Sequence, residues 1–338
     1  MYKFIVLLTI ITLCSCQSKK EESTFDWEKE RMERSRIDFR RTENEIKEYI
    51  QQYIPDVTDE QIRKWEESNV LEHMYFDGEK RYFRNAGPNL FRVDEQARAI
   101  KLAKDGNPLS GSEKVNQKHL PLVIEAVGKS GTDTVMPVTY RVKYTLTVEP
   151  NVVPEGEMVR CWLPFPRKDQ YRQKDVKLLT ASQTDYQLSP ESYQHSTLYM
   201  ERKAVKDEPV VFSESFEYTS YAEWHDLKPD DVLPYDTSSE MYKKYTSERD
   251  RHIIFSPRIK ALADSLTAGE NNPLIKAQRL FTWVNDNFPW ASAREYSTLE
   301  NIPEYVLDNK KGDCGQVSLL FITMCRYSGI PAHFQSGF

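Results

Sequence analysis

The chain has 338 residues, more than one ordinary domain needs, and this length predicts two or three domains. Hydrophobic residues make up 39% of the sequence, which is enough for packed cores and excludes a chain that is disordered throughout. The net charge of −6 arises from 46 basic and 52 acidic residues with no basic stripe, which argues against a nucleic-acid-binding surface.

The first residues of the chain have the pattern of an export signal. Lys3 precedes an apolar run over residues 4–13. Ten residues are too few to span a bilayer as a helix, but they match the apolar core of a secretory signal peptide. We therefore expect residues 1–15 to direct export and to be removed.

The segment Leu13-Cys14-Ser15-Cys16 resembles the lipobox of bacterial lipoproteins. Leu13 stands three positions before Cys16 and the small Ser15 directly before it, whereas a lipid on Cys14 would place the bulky Leu13 at the cleavage site. The resemblance implies lipidation of Cys16, whose acyl chains would hold the protein at the membrane. The alternative is an ordinary signal peptide that is cut nearby.

Residues 16–24 form a polar tether. No aspartate follows Cys16, so the resemblance implies sorting to the outer membrane. The acidic end of the tether, Glu21-Glu22, is similar to the surface-export tags of Bacteroidota lipoproteins, although two lysines precede it. We therefore expect a lipid-anchored protein of the cell envelope, held in the outer membrane and surface-exposed if this tag is functional.

Residues 25–130 are predicted to form a helical region that contains one hairpin. An apolar stripe at helical spacing consists of Ile46, Tyr49, Ile50, Tyr53 and Ile54. A capping box at Thr58 and Gln61 begins the next helix. These helices either bind a partner as a coiled segment or pack within their own domain.

The hairpin is indicated by aromatic segments on both sides of Asp77-Gly78. A short helix over residues 94–103 and a loop through Gly111 are predicted to follow it. The loop is a natural place for a domain boundary.

A repeat of two begins at Val138 and predicts a β-sandwich over residues 135–225. One face of the first strand is expected to be buried, with Val138, Tyr140, Val142, Tyr144, Leu146 and Val148. A later run repeats the pattern with Val210, Phe212, Phe216 and Tyr218. His195 and His225 stand alone in this range and are not predicted to be ligands.

Helical spacing returns in residues 250–338. Asn272 and Pro273 are typical of a helix N-cap and first residue, and Pro289 ends that helix. Its buried stripe is predicted to be Leu274, Ala277, Phe281 and Val284. A second helix, over residues 317–325, is apolar nearly all round and is expected at the centre of a domain.

Cys314 stands at the start of this second helix. There the helix dipole and the unpaired N–H groups favour the thiolate, which is the nucleophilic form of cysteine. The small neighbours Gly312 and Gly315 are expected to leave room for a substrate, and the N–H of Cys314 to help bind an oxyanion. The alternative is a cysteine that packs as a small hydrophobic residue.

Three segments around this helix, 312–315, 327–332 and 335–338, resemble the core motif of the transglutaminase-like superfamily. They are Gly-Asp-Cys-Gly, Tyr-Ser-Gly-Ile-Pro-Ala and Gln-Ser-Gly-Phe. For these last residues the resemblance implies the first half of a papain-like or transglutaminase-like core. Together with the helical N-terminal region and the β-sandwich that the patterns predict, the expected fold class is α+β. The resemblance also implies that Cys314 is the nucleophile.

The resemblance further implies a histidine and an acidic residue on later strands, which complete a Cys-His-Asp triad. The chain ends at Phe338 before either position, and His333 lies too close to the Pro-Ala turn to be the base. We expect these two residues beyond Phe338, in a longer protein. The alternative is a catalytically inert remnant.

Two functions from different classes follow. The first is a thiol acyl-transfer enzyme outside the cytoplasm that hydrolyses peptide or amide bonds of a peptide or protein substrate through a Cys314 thioester. The second is a non-catalytic, lipid-anchored binding or scaffold protein. No cofactor and no metal are expected, because the five cysteines show neither CxxC pairs nor the Cys/His spacing of a metal site.

Overall fold

The computed structural model describes residues 26–108, 110–168, 170–193 and 195–335. Helices and small antiparallel sheets alternate along the chain, which confirms the predicted α+β class. The contacts divide the described chain into two compact units. The first unit comprises the residues up to Gly106 together with those from Pro229, and the second comprises Asn107–Lys228. The domain ranges given above stay predictions.

The N-terminal part of the first unit is helical with one hairpin, as predicted. Its elements are α1 (Trp27–Asp38), α2 (Glu43–Gln51), α3 (Asp59–Glu67), β1 (His73–Phe76), β2 (Glu79–Tyr82), α4 (Ala86–Val93) and α5 (Glu95–Asp105). Thr58 and Gln61 form the predicted capping box at α3. The apolar faces enclose one core, in which Ile50, Leu71 and Leu90 are fully buried, so these helices pack with their own unit.

The second unit begins with α6 (Gly111–Ser130), which lies within the range 25–130 predicted to be helical, although no individual helix was predicted there. Its signal was present, since Ser110 and Glu113 form a capping box, but Pro121 inside the helix obscured it. Six strands follow: β3 (Thr134–Val148), β4 (Met158–Pro164), β5 (Gln173–Ala181), β6 (Gln187–Leu188), β7 (Thr197–Lys203) and β8 (Val210–Glu223).

These strands form two antiparallel three-stranded sheets, ordered β3-β8-β5 and β4-β7-β6. The two sheets share one core, to which β4 contributes Leu163, β7 contributes Met200 and β8 contributes Phe212. The name β-sandwich stays a prediction for this range.

The predicted burial of the β3 face was wrong. Tyr140 and Leu146 are 48% and 43% exposed. The reason is the strand order: β3 is an edge strand, and the other sheet packs on its neighbour β8. The alternating pattern identified the strand but not what covers it.

The C-terminal part of the first unit contains five helices, α7 (Glu240–Tyr245), α8 (Pro257–Thr267), α9 (Pro273–Asn287), α10 (Ile302–Asn309) and α11 (Cys314–Tyr327). Asn272 caps α9 as predicted. The α9 stripe was partly wrong, because Phe281 is 59% exposed and the buried face is formed by Leu280 and Val284. Phe281 lies at the rim of the core, edge-on to Phe321.

Helix α11 lies at the centre of this core, with contacts to α8, α9 and α10. Leu320 and Met324 are fully buried in it. The described residues 332–335 after α11 lie in no strand, and residues 336–338 lie outside the described chain. No helix of the described residues is long and apolar enough to cross a bilayer.

The core of the second unit contains an unpaired acid, Glu214. It is 1% exposed and lies on the same face of β8 as Phe212 and Phe216. Neither of its carboxyl oxygens has a hydrogen-bond partner in the described chain. Burial raises the pKa of Glu214 to about 7, because the charged form loses its hydration there.

We predict that Glu214→Gln stabilises the protein at high pH and not at low pH. The folded-state pKa lies above the ordinary value of 4.5, so stability is lost as pH rises from that value through about 7. Relative to the parent, the free energy of unfolding of the variant should rise by about 2–3 kcal/mol between pH 4.5 and pH 8, since one pKa unit corresponds to about 1.4 kcal/mol. Urea unfolding at the two pH values, with hydrogen exchange of β8, measures this.

Glu217→Gln is the matched control. Glu217 lies three residues further along β8 and pairs with Arg141 at 2.9 Å on the partly exposed face. The free energy of unfolding of Glu217→Gln should differ from that of the parent by no more at pH 8 than at pH 4.5. An equal pH dependence of Glu214→Gln and the parent would contradict the burial of an ionisable Glu214.

Candidate functional site

Cys314 is the first residue of α11, as the sequence predicted, and its side chain is exposed. Asp313 is the N-cap: its Oδ1 accepts a hydrogen bond of 2.9 Å from the N–H of Gln316, and its carbonyl accepts one from Val317. The helix therefore begins at the cysteine with its first turn held by the preceding residue. The role of Cys314 as the nucleophile stays a prediction.

A second group holds the same carboxylate. The hydroxyl of Tyr296 donates a hydrogen bond of 2.5 Å to Oδ1 of Asp313. Burial, this bond and the charge of Asp313 raise the pKa of Tyr296, so the phenol stays protonated. Sequence reasoning missed Tyr296, because no local pattern links it to a residue seventeen positions later.

The two glycines beside Cys314 serve packing. A Cβ at Gly315 would overlap the Tyr296 hydroxyl, and a Cβ at Gly312 would lie 3.1 Å from the Val317 side chain and 3.2 Å from that of Gln316. Protein atoms thus fill the space that a Cβ would occupy at each glycine. The expectation that both glycines leave room for a substrate to approach the sulfur stays a prediction.

Gln316 follows the cysteine by two residues and is fully buried. Its Nε2 donates a hydrogen bond of 3.2 Å to the carbonyl of Arg294. Its Oε1 has no partner within the described residues. This bond ties the first turn of α11 to the loop that carries Tyr296.

The loop before Cys314 is held by a buried ammonium group. Lys311 is 1% exposed and donates hydrogen bonds to the carbonyls of Asn69 (2.7 Å) and Val70 (3.3 Å), after α3. Its Nζ also lies 3.9 Å from Glu72. Burial lowers the pKa of Lys311, and the charge of Glu72 opposes that shift.

Glu72 is the common partner of three groups in this region. It accepts a hydrogen bond of 2.8 Å from the Tyr305 hydroxyl and lies 3.8 Å from Arg294 and 3.9 Å from Lys311. The carboxylate is only 6% exposed, so its charge is balanced inside the protein.

The loop over residues 290–300 is fixed from the N-terminal region as well. Asn89 on α4 makes two hydrogen bonds to the backbone of Ser292, of 2.7 Å and 3.0 Å. Asp38 at the end of α1 accepts one of 2.7 Å from the N–H of Glu295. On the other side, the N–H of Ala291 donates to the carbonyl of Gly312.

The histidines do not join this site. His333 packs on Tyr245, with ring centroids 5.0 Å apart, beyond the end of α11 opposite to Cys314. His225 lies near Asp133 and Glu223 in the second unit, and His195 is exposed there. Among the described residues no cluster of metal-ligating side chains occurs.

The remaining cysteines differ from Cys314 in exposure. Cys161 and Cys325 are buried, and burial raises the pKa of both thiols, to about 12 for Cys325. Cys16, the predicted lipidation site, lies outside the described residues.

The chain is similar to one curated protein and to one solved structure. A protein of Haemophilus influenzae described as uncharacterized is 25% identical over 195 residues, which cover 54% of this chain and 51% of that protein. The chain therefore spans about half the length of this relative. A crystal structure from Cytophaga hutchinsonii, described as that of a "putative cysteine protease", is similar with a TM-score of 0.43 and 14% identity, covering 59% of this chain and 66% of that one.

The family comparison covers the segment built around Cys314. Residues 260–338 match the core of the transglutaminase-like superfamily, and this range includes α9, α10 and α11. The similarity to the transglutaminase-like superfamily is therefore shown for one segment of the chain, residues 260–338.

Proposed function

We propose that the protein is a thiol acyl-transfer enzyme outside the cytoplasm that hydrolyses peptide or amide bonds, with Cys314 as the nucleophile. The observation that carries this proposal is the position of Cys314: an exposed thiol at the first residue of a 14-residue helix inside the transglutaminase-like segment. The helix N-terminus favours the thiolate.

The chemistry has two steps. The thiolate sulfur attacks the amide carbon, and the carbon–nitrogen bond breaks as the departing amine takes a proton. Water then attacks the thioester, which releases the acid and restores the thiol. The N–H of Cys314 supports the oxyanion, and the histidine implied by the resemblance supplies the proton to the amine.

An exposed aromatic side chain on the segment that pairs with the loop before Cys314 supports a peptide substrate. Trp290 is 53% exposed, and its backbone pairs with that of Gly312. The guanidinium of Arg92 lies 4.7 Å from the centre of its ring. A flat ring with a cation at one face is suited to hold the apolar and acidic side chains of an extended peptide.

We predict that Cys314 is the most reactive thiol of the described chain. At pH 7 it should react with iodoacetamide about tenfold faster than Cys161 or Cys325, because it is exposed and the helix N-terminus favours its thiolate. Peptide mapping over time measures each cysteine separately. Cys314→Ser should abolish hydrolysis and leave the unfolding curve unchanged.

The urea-unfolded chain is the control for exposure. Cys314 should react faster in the folded protein than in the unfolded one, whereas Cys161 and Cys325 should react more slowly when folded. If Cys314 reacted no faster in the folded protein than in the unfolded one, a non-catalytic binding or scaffold protein would be the better explanation.

We further propose that Cys16 carries a lipid that anchors the protein in the outer membrane. Support comes from the sequence alone: an apolar core at residues 4–13 and a small residue directly before Cys16. The tether at residues 16–24 would then carry the folded units away from the lipid surface.

We predict that Cys16→Ser removes both the lipid and the membrane association, because acyl chains hold the protein there. Labelled palmitate in bacterial cells, followed by membrane fractionation, measures the two effects. Cys14→Ser is the matched control and should keep both. Label retained in Cys16→Ser but lost in Cys14→Ser would reassign the site.

A further inference from the structure

We infer that Tyr296 is a positioning residue for Cys314: its hydroxyl holds the Asp313 carboxylate and thereby the first turn of α11 in the arrangement in which the thiol reacts. This inference rests on the proposed function of Cys314. It assigns a role to a side chain that the predicted triad does not contain.

The hydrogen-bond geometry gives Asp313 a fixed orientation. Its Oδ1 accepts one bond from the Tyr296 hydroxyl at 2.5 Å and one from the N–H of Gln316 at 2.9 Å. A helix cap needs only the second of these bonds. The first comes from another part of the chain and prevents the side chain from turning toward the cysteine.

Tyr296 is itself held in place. It lies in a single 3-10 turn, Tyr296–Thr298, and its hydroxyl fills the space at Gly315 that a Cβ would occupy. The backbone on its N-terminal side is fixed by Asp38 through the N–H of Glu295. A donor this constrained keeps its direction when a substrate arrives.

The electrostatic consequence concerns the thiolate. Asp313 is the residue directly before Cys314, so its negative charge opposes formation of a second one on sulfur. The Tyr296 hydroxyl and the Gln316 N–H stabilise the negative charge on Asp313 and so weaken its repulsion of the thiolate. The cations of Arg294 and Lys311 both lie close to Glu72, and the Tyr296 hydroxyl is the side chain that donates to Asp313.

The test compares two tyrosines of the same kind at opposite ends of α11. Tyr296→Phe removes the hydroxyl bonded to Asp313, and Tyr327→Phe removes one bonded to Asp264 at 3.0 Å, about 20 Å away along the helix. The rate of Cys314 alkylation by iodoacetamide is measured from pH 5 to pH 9.5 for the parent and both variants, with thermal unfolding as the check on folding.

We expect the profile of Tyr296→Phe to move to higher pH, with alkylation about three- to tenfold slower at pH 7 and equal to the parent at the alkaline end, since a shift of one pH unit is a tenfold change. Tyr327→Phe should follow the parent. A profile of Tyr296→Phe that coincides with the parent would overturn the inference while the proposed function stands.

Asp313→Asn provides a second variant that keeps an N-cap acceptor and removes the charge. In that background Tyr296→Phe should change the profile by less than twofold, because the hydroxyl acts through the carboxylate. Equal effects in both backgrounds would overturn the inference. If Cys314 of the parent reacts no faster than Cys161 and Cys325, the proposed function and this inference both fail.

Discussion

The buried ammonium of Lys311 is the constraint on which the arrangement around Cys314 depends. A charge that is 1% exposed is costly unless hydrogen bonds and a counter-charge surround it. Its acceptors are the carbonyls of Asn69 and Val70, and its counter-charge is Glu72, all in the N-terminal region. The loop before Cys314 therefore depends on residues far away in sequence.

The same region holds the second loop that reaches the site. Asn89 binds the backbone at Ser292, and Asp38 binds that at Glu295. These bonds fix the loop from which Tyr296 reaches Asp313. The segment at residues 260–338 that matches the transglutaminase-like core is thus built together with residues outside that match. Residues outside the matched segment therefore support the candidate site around Cys314.

Local signals in the sequence predicted the elements well, because caps and turns act over a few residues. The capping box at Thr58, the hairpin at Asp77-Gly78, the N-cap at Asn272 and the start of α11 at Cys314 are all present in the structure. The exposed face of β3 was not predictable, since alternation does not say which strand lies at an edge. The sequence also did not indicate the roles of Tyr296, Lys311 and Glu72. Their partners lie seventeen to more than two hundred residues away, beyond the reach of any local pattern.

Mass spectrometry after incubation with p-nitrophenyl acetate tests most directly whether Cys314 forms a thioester. We expect one acetyl group per chain, located on Cys314 by peptide mapping and removed by neutral hydroxylamine, as a thioester requires. A chain that takes up no acetyl group, or one whose label lies elsewhere and resists hydroxylamine, would contradict this expectation.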